Sequence, residues 1–290
     1  MPPVGETTAD IRRAYTGTML ENPRSARVRS IASLAKKNIR QETGYFLLEG
    51  PQAVREALSY RPELLTELFG TPTAIERYPE IVKLAEAAGH EFEFVTEQVL
   101  TALADTVTPQ GFVAVCRQFP TALKDIFAGE PTLLVILNEV RDPGNAGTII
   151  RAADSAGADG VILAGRSVDL FNPKVVRSTT GSLFHIPVAV DATLEDVRGR
   201  VNEAGLTLLA ADIKGDSLLA AREDGTLARP TAWLFGNEAR GLNDADLAMA
   251  DRALTVPIYG TAESMNLATA ASVCLYESAF SQRAGGAVEA

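Results

Sequence analysis

The sequence predicts an α/β protein with a small N-terminal α/β unit and a larger unit built on a parallel sheet. In the second half of the chain, short and almost wholly apolar segments such as TLLVIL (132–137) and TAWLF (231–235) alternate with helical patterns. Strands of this kind are typical of a parallel sheet that helices cover on both faces. The 290 residues leave room for two domains, and a content of 46% hydrophobic and 22% charged residues is that of a globular protein.

The N-terminal unit is predicted to follow a flexible basic tail at residues 1–22, which are polar and show no periodic pattern. A helix is expected next, because Val28, Ile31, Ala35 and Ile39 form one apolar stripe. Strand and helix signals then alternate to the end of this domain. Its predicted bounds are 23–117, with strands at 45–48, 64–69, 91–95 and 111–116 and helices at 52–58, 80–88 and 97–104.

A linker at 118–131, with Pro120 and Pro131 near its ends, leads to a second α/β series. We assign that series to a domain at 132–283, followed by a tail at 284–290. Its predicted strands are 132–137, 160–163, 185–188, 206–211, 231–235 and 253–256, and its predicted helices are 146–155, 173–179, 194–204, 244–250 and 267–281.

The charge distribution leaves two interpretations of the N-terminal region open. The whole chain carries a net charge of −10, whereas residues 11–40 contain eight basic residues and one acidic residue, a net charge of +7. A basic segment on an acidic body is what a phosphate-contacting surface looks like. It is equally typical of a solvated helix face, and charge alone does not decide between the two.

Several function classes are excluded by residues and patterns that the chain lacks. Cys116 and Cys274 are far apart in apolar runs, which excludes a disulfide framework and predicts buried thiols in a cytoplasmic protein. Two histidines leave little room for histidine-based catalysis or a histidine-ligated metal, and we expect no metal. No GxGxxG follows a strand, and P-loop, GxSxG, HExxH and CxxC patterns are absent. No apolar run reaches the ~20 residues that a membrane helix needs.

Three polar segments flank predicted strands at positions where a ligand site is expected. Ligands of an open parallel sheet bind beyond the carboxyl ends of its strands. Residues 138–151 directly follow TLLVIL, 236–242 follow TAWLF, and 256–267 end one strand and open a helix. Taken singly, each has a structural interpretation as a turn, a strand end or a helix N-cap. Together they would gather polar groups suited to hydroxyls and phosphates into one crevice: Asn138, Asn145, Arg151, Asn237, Glu238, Ser264 and Asn266.

These segments resemble a known family. The runs NEVRDPGNAGTIIRAADSAGADGVIL, LFGNEARGL and VPIYGTAESMNLATAASVCLYE are similar to motifs 1, 2 and 3 of the SpoU/TrmH family of the SPOUT superfamily, in the same order and spacing. Its members are S-adenosylmethionine-dependent RNA ribose 2′-O-methyltransferases. The stretch NPRSARVRSIASLAKKNIRQETGYFLLEGPQAVREAL resembles the family's N-terminal substrate-binding domain, which has a ribosomal-protein L30e-like fold. One departure is Ala146, where motif 1 commonly has leucine or isoleucine, and we expect it to change packing rather than chemistry.

The resemblance implies a deep trefoil knot in the catalytic domain, with S-adenosylmethionine bound in the knot. It places Arg151 beside the target ribose, where we expect electrostatic stabilisation rather than proton abstraction, since an arginine rarely loses its proton. Asn145, Glu238, Ser264 and Asn266 would orient the ribose and Arg151. The implied cofactor-binding residues are Ala210, Ala211, Gly236, Asn237, Val256, Pro257, Ile258, Met265, Asn266 and Leu267.

The expected partner is RNA, and the L30e-like domain favours 23S ribosomal RNA. The RNA-binding residues would be Arg24, Arg27, Arg29, Lys36, Lys37, Arg40 and Arg177, the last of which is equally well explained as a surface helix arginine. Family members are homodimers, so we expect a homodimer formed through the methyltransferase domain. Two alternatives remain open: a transfer-RNA ribose methyltransferase with the same motifs, and a non-catalytic RNA-binding or ribosome-assembly module of the same fold.

Overall fold

The computed structural model describes residues 19–286 and divides the chain into two compact units. One unit runs to Phe119 and includes Phe171–Pro173, and the other consists of Pro120–Leu170 and the residues from Lys174 onward. Residues 1–18 and 287–290, which include most of the predicted N-terminal tail and the end of the predicted C-terminal tail, lie outside the described residues.

The N-terminal unit is a four-stranded mixed sheet with helices packed on it. The strand order is β1-β4-β2-β3, in which β4 is antiparallel to both of its neighbours and β2 is parallel to β3. Val28, Leu47, Phe69 and Val99 belong to one buried cluster that joins helices to the sheet. The strands are β1 (Tyr45–Glu49), β2 (Leu65–Gly70), β3 (Phe92–Phe94) and β4 (Phe112–Arg117), and the helices are α1 (Ala26–Ala32), α2 (Lys37–Thr43), α3 (Pro51–Tyr60), α4 (Pro72–Arg77), α5 (Pro79–Ala87) and α6 (Glu97–Leu103).

The helical pattern predicted at the start of the N-terminal unit forms two helices in the structure rather than one continuous helix. The Ser25 hydroxyl accepts from the Val28 main-chain N–H and caps α1, which ends at Ala32. A 3₁₀ turn at Ser33–Ala35 then separates α1 from α2. Of the apolar stripe, Val28 and Ile31 are buried in α1, whereas Ala35 and Ile39 are half-buried.

The C-terminal unit contains the predicted parallel sheet, which confirms the fold class. All five strand pairings are parallel, and the strand order is β10-β8-β9-β5-β6-β7. The trefoil knot stays a prediction implied by the family resemblance. The strands are β5 (Leu133–Asn138), β6 (Gly160–Ala164), β7 (Val188–Ala192), β8 (Thr207–Ser217), β9 (Thr231–Phe235) and β10 (Arg252–Thr255), and the helices are α7 (Leu123–Phe127), α8 (Pro143–Ala156), α9 (Pro173–Thr179), α10 (Leu194–Glu203), α11 (Leu218–Glu223), α12 (Asp244–Met249) and α13 (Leu267–Gly286).

Among the differences from the predicted elements, four concern the path of the chain in the C-terminal unit. β7 begins at Val188 rather than at residue 185, because His185 closes a 3₁₀ turn at Ser182–Phe184. The predicted linker contains the short helix α7. β8 continues six residues past Ala211, and its register with β10 shifts there. α13 reaches Gly286, so the predicted tail from residue 284 begins inside a helix.

The C-terminal helix α13 is fixed to the sheet by polar contacts in its C-terminal half. The indole N–H of Trp233, on β9, donates to the Ser278 hydroxyl at 2.9 Å, and both side chains are fully buried. The Gln282 amide donates to the main-chain carbonyls of Thr132 and Arg229 at 2.9 and 3.0 Å. These contacts join the C-terminal half of α13 to the middle and the amino edge of the sheet.

Helices α8 and α9 approach each other so closely that only glycine fits at one position. A Cβ atom on Gly147 would lie 2.5 Å from the Ser178 Cβ and 2.6 Å from the Val175 carbonyl oxygen. We expect Gly147→Ala to lower the free energy of unfolding by about 1–3 kcal/mol, since the helices must separate to admit the methyl group. The fluorescence of Trp233, the single tryptophan, reports urea unfolding of this unit.

The matched control is Gly199, an interior glycine of α10 that has open space around its Cβ position. Gly199→Ala is expected to raise the free energy of unfolding by about 0.5–1 kcal/mol, because alanine has the higher helix propensity. Equal effects of the two substitutions would show that the contact between α8 and α9 is not as tight as described.

Candidate functional site

The three polar segments meet at the carboxyl edge of the parallel sheet. Leu137 of β5 is paired in register with Phe235 of β9, so the loops that follow these strands start side by side. The β9 partner on the other side is β8, where Ala210 is paired with Leu234, and β10 lies beyond β8. Loops 138–142, 236–242 and 256–266 therefore leave the sheet from the same edge, where a ligand site is expected.

The loop after β9 is hydrogen-bonded to the loop after β5. The Glu238 carboxylate accepts the main-chain N–H groups of Arg141 and Asp142 at 3.1 and 2.9 Å. The Asn237 amide donates to the Glu139 main-chain carbonyl at 2.9 Å. Because these bonds use main-chain groups of the first loop, they fix its path as well as its distance from the second loop.

Glu139 links its own loop to the loop after β9 and to Arg166, which follows β6. Its φ is +56°, a left-handed conformation that is uncommon for residues other than glycine. Its carboxylate accepts from the Arg240 guanidinium at 2.9 Å and from Arg141 at 3.4 Å. Partial desolvation acts to raise the pKa of Glu139, but the Arg240 hydrogen bond, the Arg141 charge and the Arg166 main-chain N–H outweigh it and lower the pKa below its ordinary value. The carboxylate is therefore ionised at neutral pH.

The amide side chains of Asn145 and Asn266 join the first and third segments. The Asn266 Nδ2 donates to the Asn145 Oδ1 at 3.0 Å across 121 residues of sequence. Asp142, rather than Asn145, caps α8, since its carboxylate accepts the Asn145 main-chain N–H at 2.8 Å. The Asn266 Oδ1 accepts from the Ala268 main-chain N–H at 2.9 Å and so caps α13. Asn266 is thus both a helix cap and a link between two loops.

The two functions of Asn266 can be separated by substitution. Asn266→Asp keeps the carbonyl-type oxygen that caps α13 but replaces the amide that donates to Asn145. Asn266→Ala loses both, and loss of the cap is expected to lower the free energy of unfolding by about 0.5–2 kcal/mol. We expect Asp to retain near-native stability in urea, while both variants lose roughly tenfold or more of the methyl transfer that the family resemblance implies. Retention of full activity by Asn266→Asp would contradict a role for the Asn145–Asn266 link.

Arg151 lies on α8 and is held by a different segment. Its Nη1 donates to the Thr180 hydroxyl at 3.2 Å, and both residues are exposed. Thr180 follows α9 directly and has a φ of +53°. The Glu238 carboxylate, by contrast, is hydrogen-bonded to the main chain of residues 141–142. Ser264 is exposed in the third loop, and Arg177 is half-buried on α9.

The residues predicted to hold S-adenosylmethionine have the chemistry that this molecule needs. None carries a charged side chain, so nothing in the set repels a sulfonium cation. Val256, Pro257, Met265 and Leu267 are half-buried and Ile258 is 38% exposed, which makes apolar walls that still face solvent. From 257 to 265 the main chain makes no hydrogen bond to another main-chain group of residues 19–286, so its polar groups remain available for an adenine edge.

Gly236, which the resemblance implies as a cofactor-binding residue, is a glycine because its own loop leaves no room for a side chain. A Cβ atom there would lie 2.5 Å from the Gly241 carbonyl carbon and 2.6 Å from the Leu242 main-chain nitrogen. The loop therefore folds back on the space that a side chain would fill, and the Gly241 N–H donates to the Asn237 carbonyl at 2.8 Å. Glycine is required here by the loop itself rather than by a ligand.

The predicted RNA-binding residues of the N-terminal unit do not behave alike. Arg24, Arg29, Lys36 and Lys37 are exposed. Arg40 is 1% exposed, and the prediction that it binds RNA is wrong, because its guanidinium donates to the main-chain carbonyls of Leu34 and Ala35 at 2.8 and 2.7 Å.

Arg27 is half-exposed but already paired within its own unit. Its guanidinium contacts the Glu67 carboxylate at 2.5 Å and the Glu93 carboxylate at 2.7 Å. The two carboxylates raise the pKa of Arg27, first through the Glu67 hydrogen bond and against a desolvation that lowers it. A phosphate would have to compete with these carboxylates, which makes Arg27 a weaker RNA-binding candidate than its exposed neighbours.

Sequence reasoning missed Glu139, Asp142, Thr180 and Arg240. Glu139 and Asp142 lie in motif 1 and Arg240 lies in motif 2. The signal that could have identified them is their charge within these motifs. Thr180 has no such signal, because a left-handed φ on a β-branched residue cannot be read from the sequence.

In the part of the chain that the structure describes, no group of three or more His, Cys, Asp and Glu side chains is arranged to hold a metal ion. No helix among residues 19–286 combines the length and apolar character needed to cross a bilayer.

Burial raises the pKa of both thiols, that of Cys274 to about 12, and both cysteines are free and buried as predicted.

A cavity of about 320 Å³ lies at the opposite, amino edge of the sheet. Thr132, Pro230, Gln282 and Arg283 are among the residues that line it. The Gln282 and Arg283 side chains donate to main-chain carbonyls there, so their polar groups already have structural partners. The cavity is remote from the three loops and is not part of the candidate site.

Two family models match this chain. The SpoU rRNA Methylase family matches residues 132–276, and RNA 2′-O ribose methyltransferase substrate binding matches residues 47–122. Among curated relatives, the 23S rRNA (guanosine(2553)-2′-O)-methyltransferase RlmP of Bacillus subtilis (strain 168) is 33% identical over 261 residues, covering 89% of this chain and 97% of the relative. The 23S rRNA (uridine(2479)-2′-O)-methyltransferase of Streptomyces viridochromogenes is 33% identical, covering 88% of this chain and 89% of the relative.

Solved structures with bound AdoMet are also similar to this chain. The rRNA methyltransferase from Sinorhizobium meliloti, solved with AdoMet, has a TM-score of 0.76 at 32% identity and covers 90% of this chain and 97% of its own. The methyltransferase AviRb from Streptomyces viridochromogenes, solved with the cofactor AdoMet, has a TM-score of 0.77 at 31% identity and covers 90% of this chain and 100% of its own.

Proposed function

Because this chain belongs to the SpoU rRNA methylase family, we propose that it methylates a ribose 2′-hydroxyl of 23S ribosomal RNA with S-adenosylmethionine as the methyl donor. The observation that carries the proposal is the set of hydrogen bonds that link three distant motifs at one sheet edge: Glu238 to the loop after β5, and Asn266 to Asn145. Such an arrangement can hold an apolar cofactor pocket next to polar groups that bind a sugar.

The chemistry requires a positioned hydroxyl more than a strong base. S-Adenosylmethionine, when bound, supplies a methyl group that its sulfonium charge activates for transfer. In the transfer, the bond from the 2′-oxygen to the methyl carbon forms, the carbon–sulfur bond breaks, and the hydroxyl proton is lost to solvent. The developing negative charge on the 2′-oxygen is what the protein must stabilise.

Arg151 supplies that stabilisation in our proposal. Arginine side chains stay protonated in proteins, so this guanidinium acts as a cation and a hydrogen-bond donor. Only one of its five N–H donors is used by Thr180, and the others can bind the neighbouring phosphate and the 2′-oxygen. Asn145, Asn266 and Ser264 provide amide and hydroxyl groups that orient the ribose.

The choice of 23S ribosomal RNA rests on two supports. The relatives named as 23S rRNA methyltransferases match along both units of the chain rather than along the catalytic unit alone. The N-terminal unit matches a substrate-binding model of RNA ribose methyltransferases and exposes Arg24, Arg29, Lys36 and Lys37. These exposed cations are suited to RNA phosphates.

The test is methyl transfer from radiolabelled S-adenosylmethionine to in vitro transcripts of 23S ribosomal RNA, 16S ribosomal RNA and transfer RNA. We expect label in 23S ribosomal RNA at one 2′-O position, mapped by reverse transcription at low nucleotide concentration. Label in transfer RNA alone would identify the alternative substrate. Binding of S-adenosylmethionine in calorimetry without transfer to any RNA would contradict an enzymatic function.

We also propose a cytoplasmic homodimer. On α13, Phe280 is 55% exposed and its ring lies 5.5 Å from that of Tyr276, which gives this helix an apolar surface suited to a second copy. The buried free thiols and the ribosomal substrate support a reducing cytoplasm. Light scattering should give about twice the 30.8 kDa chain mass, and Phe280→Glu should shift it toward one chain. A monomeric wild-type protein would refute the dimer.

A further inference from the structure

Thr180 occupies a position where the backbone favours glycine. It directly follows the last residue of α9 and has a φ of +53°. Helices commonly end in a left-handed residue, and that residue is usually glycine because a Cβ atom is unfavourable there. A β-branched side chain is the most strained choice at such an angle. Of the four non-glycine residues with positive φ in the described part of the chain, Thr180 is the only one that is β-branched.

The Thr180 side chain has one contact that explains this strain. Its hydroxyl oxygen accepts the Arg151 Nη1 at 3.2 Å. The turn that Thr180 begins is otherwise made by the main chain, since the Thr180 N–H donates to the Arg177 carbonyl at 3.1 Å and Gly181 continues with a φ of +102°. Glycine would satisfy the main chain equally well, so the threonine side chain is not needed to end the helix.

From these observations we infer that Thr180 is a positioning residue, which holds the Arg151 guanidinium in the orientation that methyl transfer requires. The inference rests on the proposed function, because it concerns the group that stabilises the 2′-oxygen. Strained residues are found where the surrounding structure needs their side chain for function rather than for stability. One hydroxyl suffices for this, because it accepts from one guanidinium nitrogen and leaves the remaining donors for substrate.

The inference predicts opposite effects on stability and activity. Thr180→Gly removes the strain and should raise the urea midpoint, whereas a residue that served the fold would lower it when removed. Thr180→Gly and Thr180→Val both lack the hydroxyl and should lower kcat by roughly ten- to a hundredfold at saturating RNA, with a small change in KM for S-adenosylmethionine. Thr180→Ser keeps the hydroxyl and should retain activity close to wild type.

A second measurement follows Arg151 without any turnover. Side-chain ¹⁵N relaxation of the Arg151 guanidinium should show greater mobility in Thr180→Val and Thr180→Gly than in wild type, and unchanged mobility in Thr180→Ser. If Thr180→Val kept the wild-type kcat, or left the mobility of Arg151 unchanged, the positioning inference would be overturned while the proposed function would stand. Failure of the wild-type protein to methylate any RNA would instead refute the proposed function, and the positioning inference with it.

Discussion

Arg151→Ala is expected to lower methyl transfer by about a hundred- to a thousandfold, the usual effect of removing one preorganised donor from a developing oxyanion. The loss should appear in kcat at saturating RNA, because the guanidinium acts on charge that develops only in the transition state. Binding of S-adenosylmethionine should persist, since Arg151 is not one of the predicted cofactor-binding residues. Isothermal calorimetry measures the binding, and transfer of labelled methyl to 23S ribosomal RNA measures the rate.

Two further substitutions make the Arg151 result specific. Arg151→Lys keeps the charge but not the planar fork, and we expect it to restore only part of the rate. Arg229→Ala removes the same charge at the opposite edge of the same sheet, where Arg229 precedes β9 and is exposed. A similar loss in Arg229→Ala would mean that net charge, not position, governs the rate. Full activity of Arg151→Ala would refute its assigned role.

Trp233→Ala is expected to give the largest loss of stability, about 3–5 kcal/mol in the free energy of unfolding. The indole is fully buried on β9 between the sheet and α13, and its removal leaves a cavity in the core of the C-terminal unit. Circular dichroism in urea is the suitable measurement, because the variant has no tryptophan left to report by fluorescence.

A double-mutant cycle separates the hydrogen bond of Trp233 from its volume. Trp233→Phe removes the donor and leaves the Ser278 hydroxyl buried without it, which costs about 1–3 kcal/mol. Adding Ser278→Ala removes the unsatisfied acceptor as well, so the double variant should be more stable than Trp233→Phe alone. Strictly additive losses would show that the two buried side chains are not coupled.

The sequence was sufficient for the parallel sheet and for the place of the candidate site. Segments such as TLLVIL and TAWLF are apolar on both faces, and strands of that kind fit only between two layers of helices. Once the strands are parallel, the loops that follow them must leave from one edge, which is why Asn145 and Asn266 could be grouped across 121 residues. The contact between the two amides itself could not be derived.

Prediction from the sequence failed where a polar side chain forms hydrogen bonds with the main chain instead of facing solvent. Arg40 continues a basic run, yet it closes a turn through the carbonyls of Leu34 and Ala35. Nothing in the residue type distinguishes a buried arginine of this kind from an exposed one. In the same way, Glu139 and Thr180 adopt left-handed backbone angles that polar and β-branched residues rarely take, so no propensity predicts them.

Because the Glu238 carboxylate accepts from two main-chain N–H groups, its contact with the neighbouring loop does not depend on the side chains at 141 and 142. The Glu238 contact at position 141 tolerates any side chain that leaves the main-chain N–H in place, whereas the Asp142 carboxylate is also needed to cap α8. The one amino acid barred from both positions is proline, which lacks the N–H that Glu238 binds.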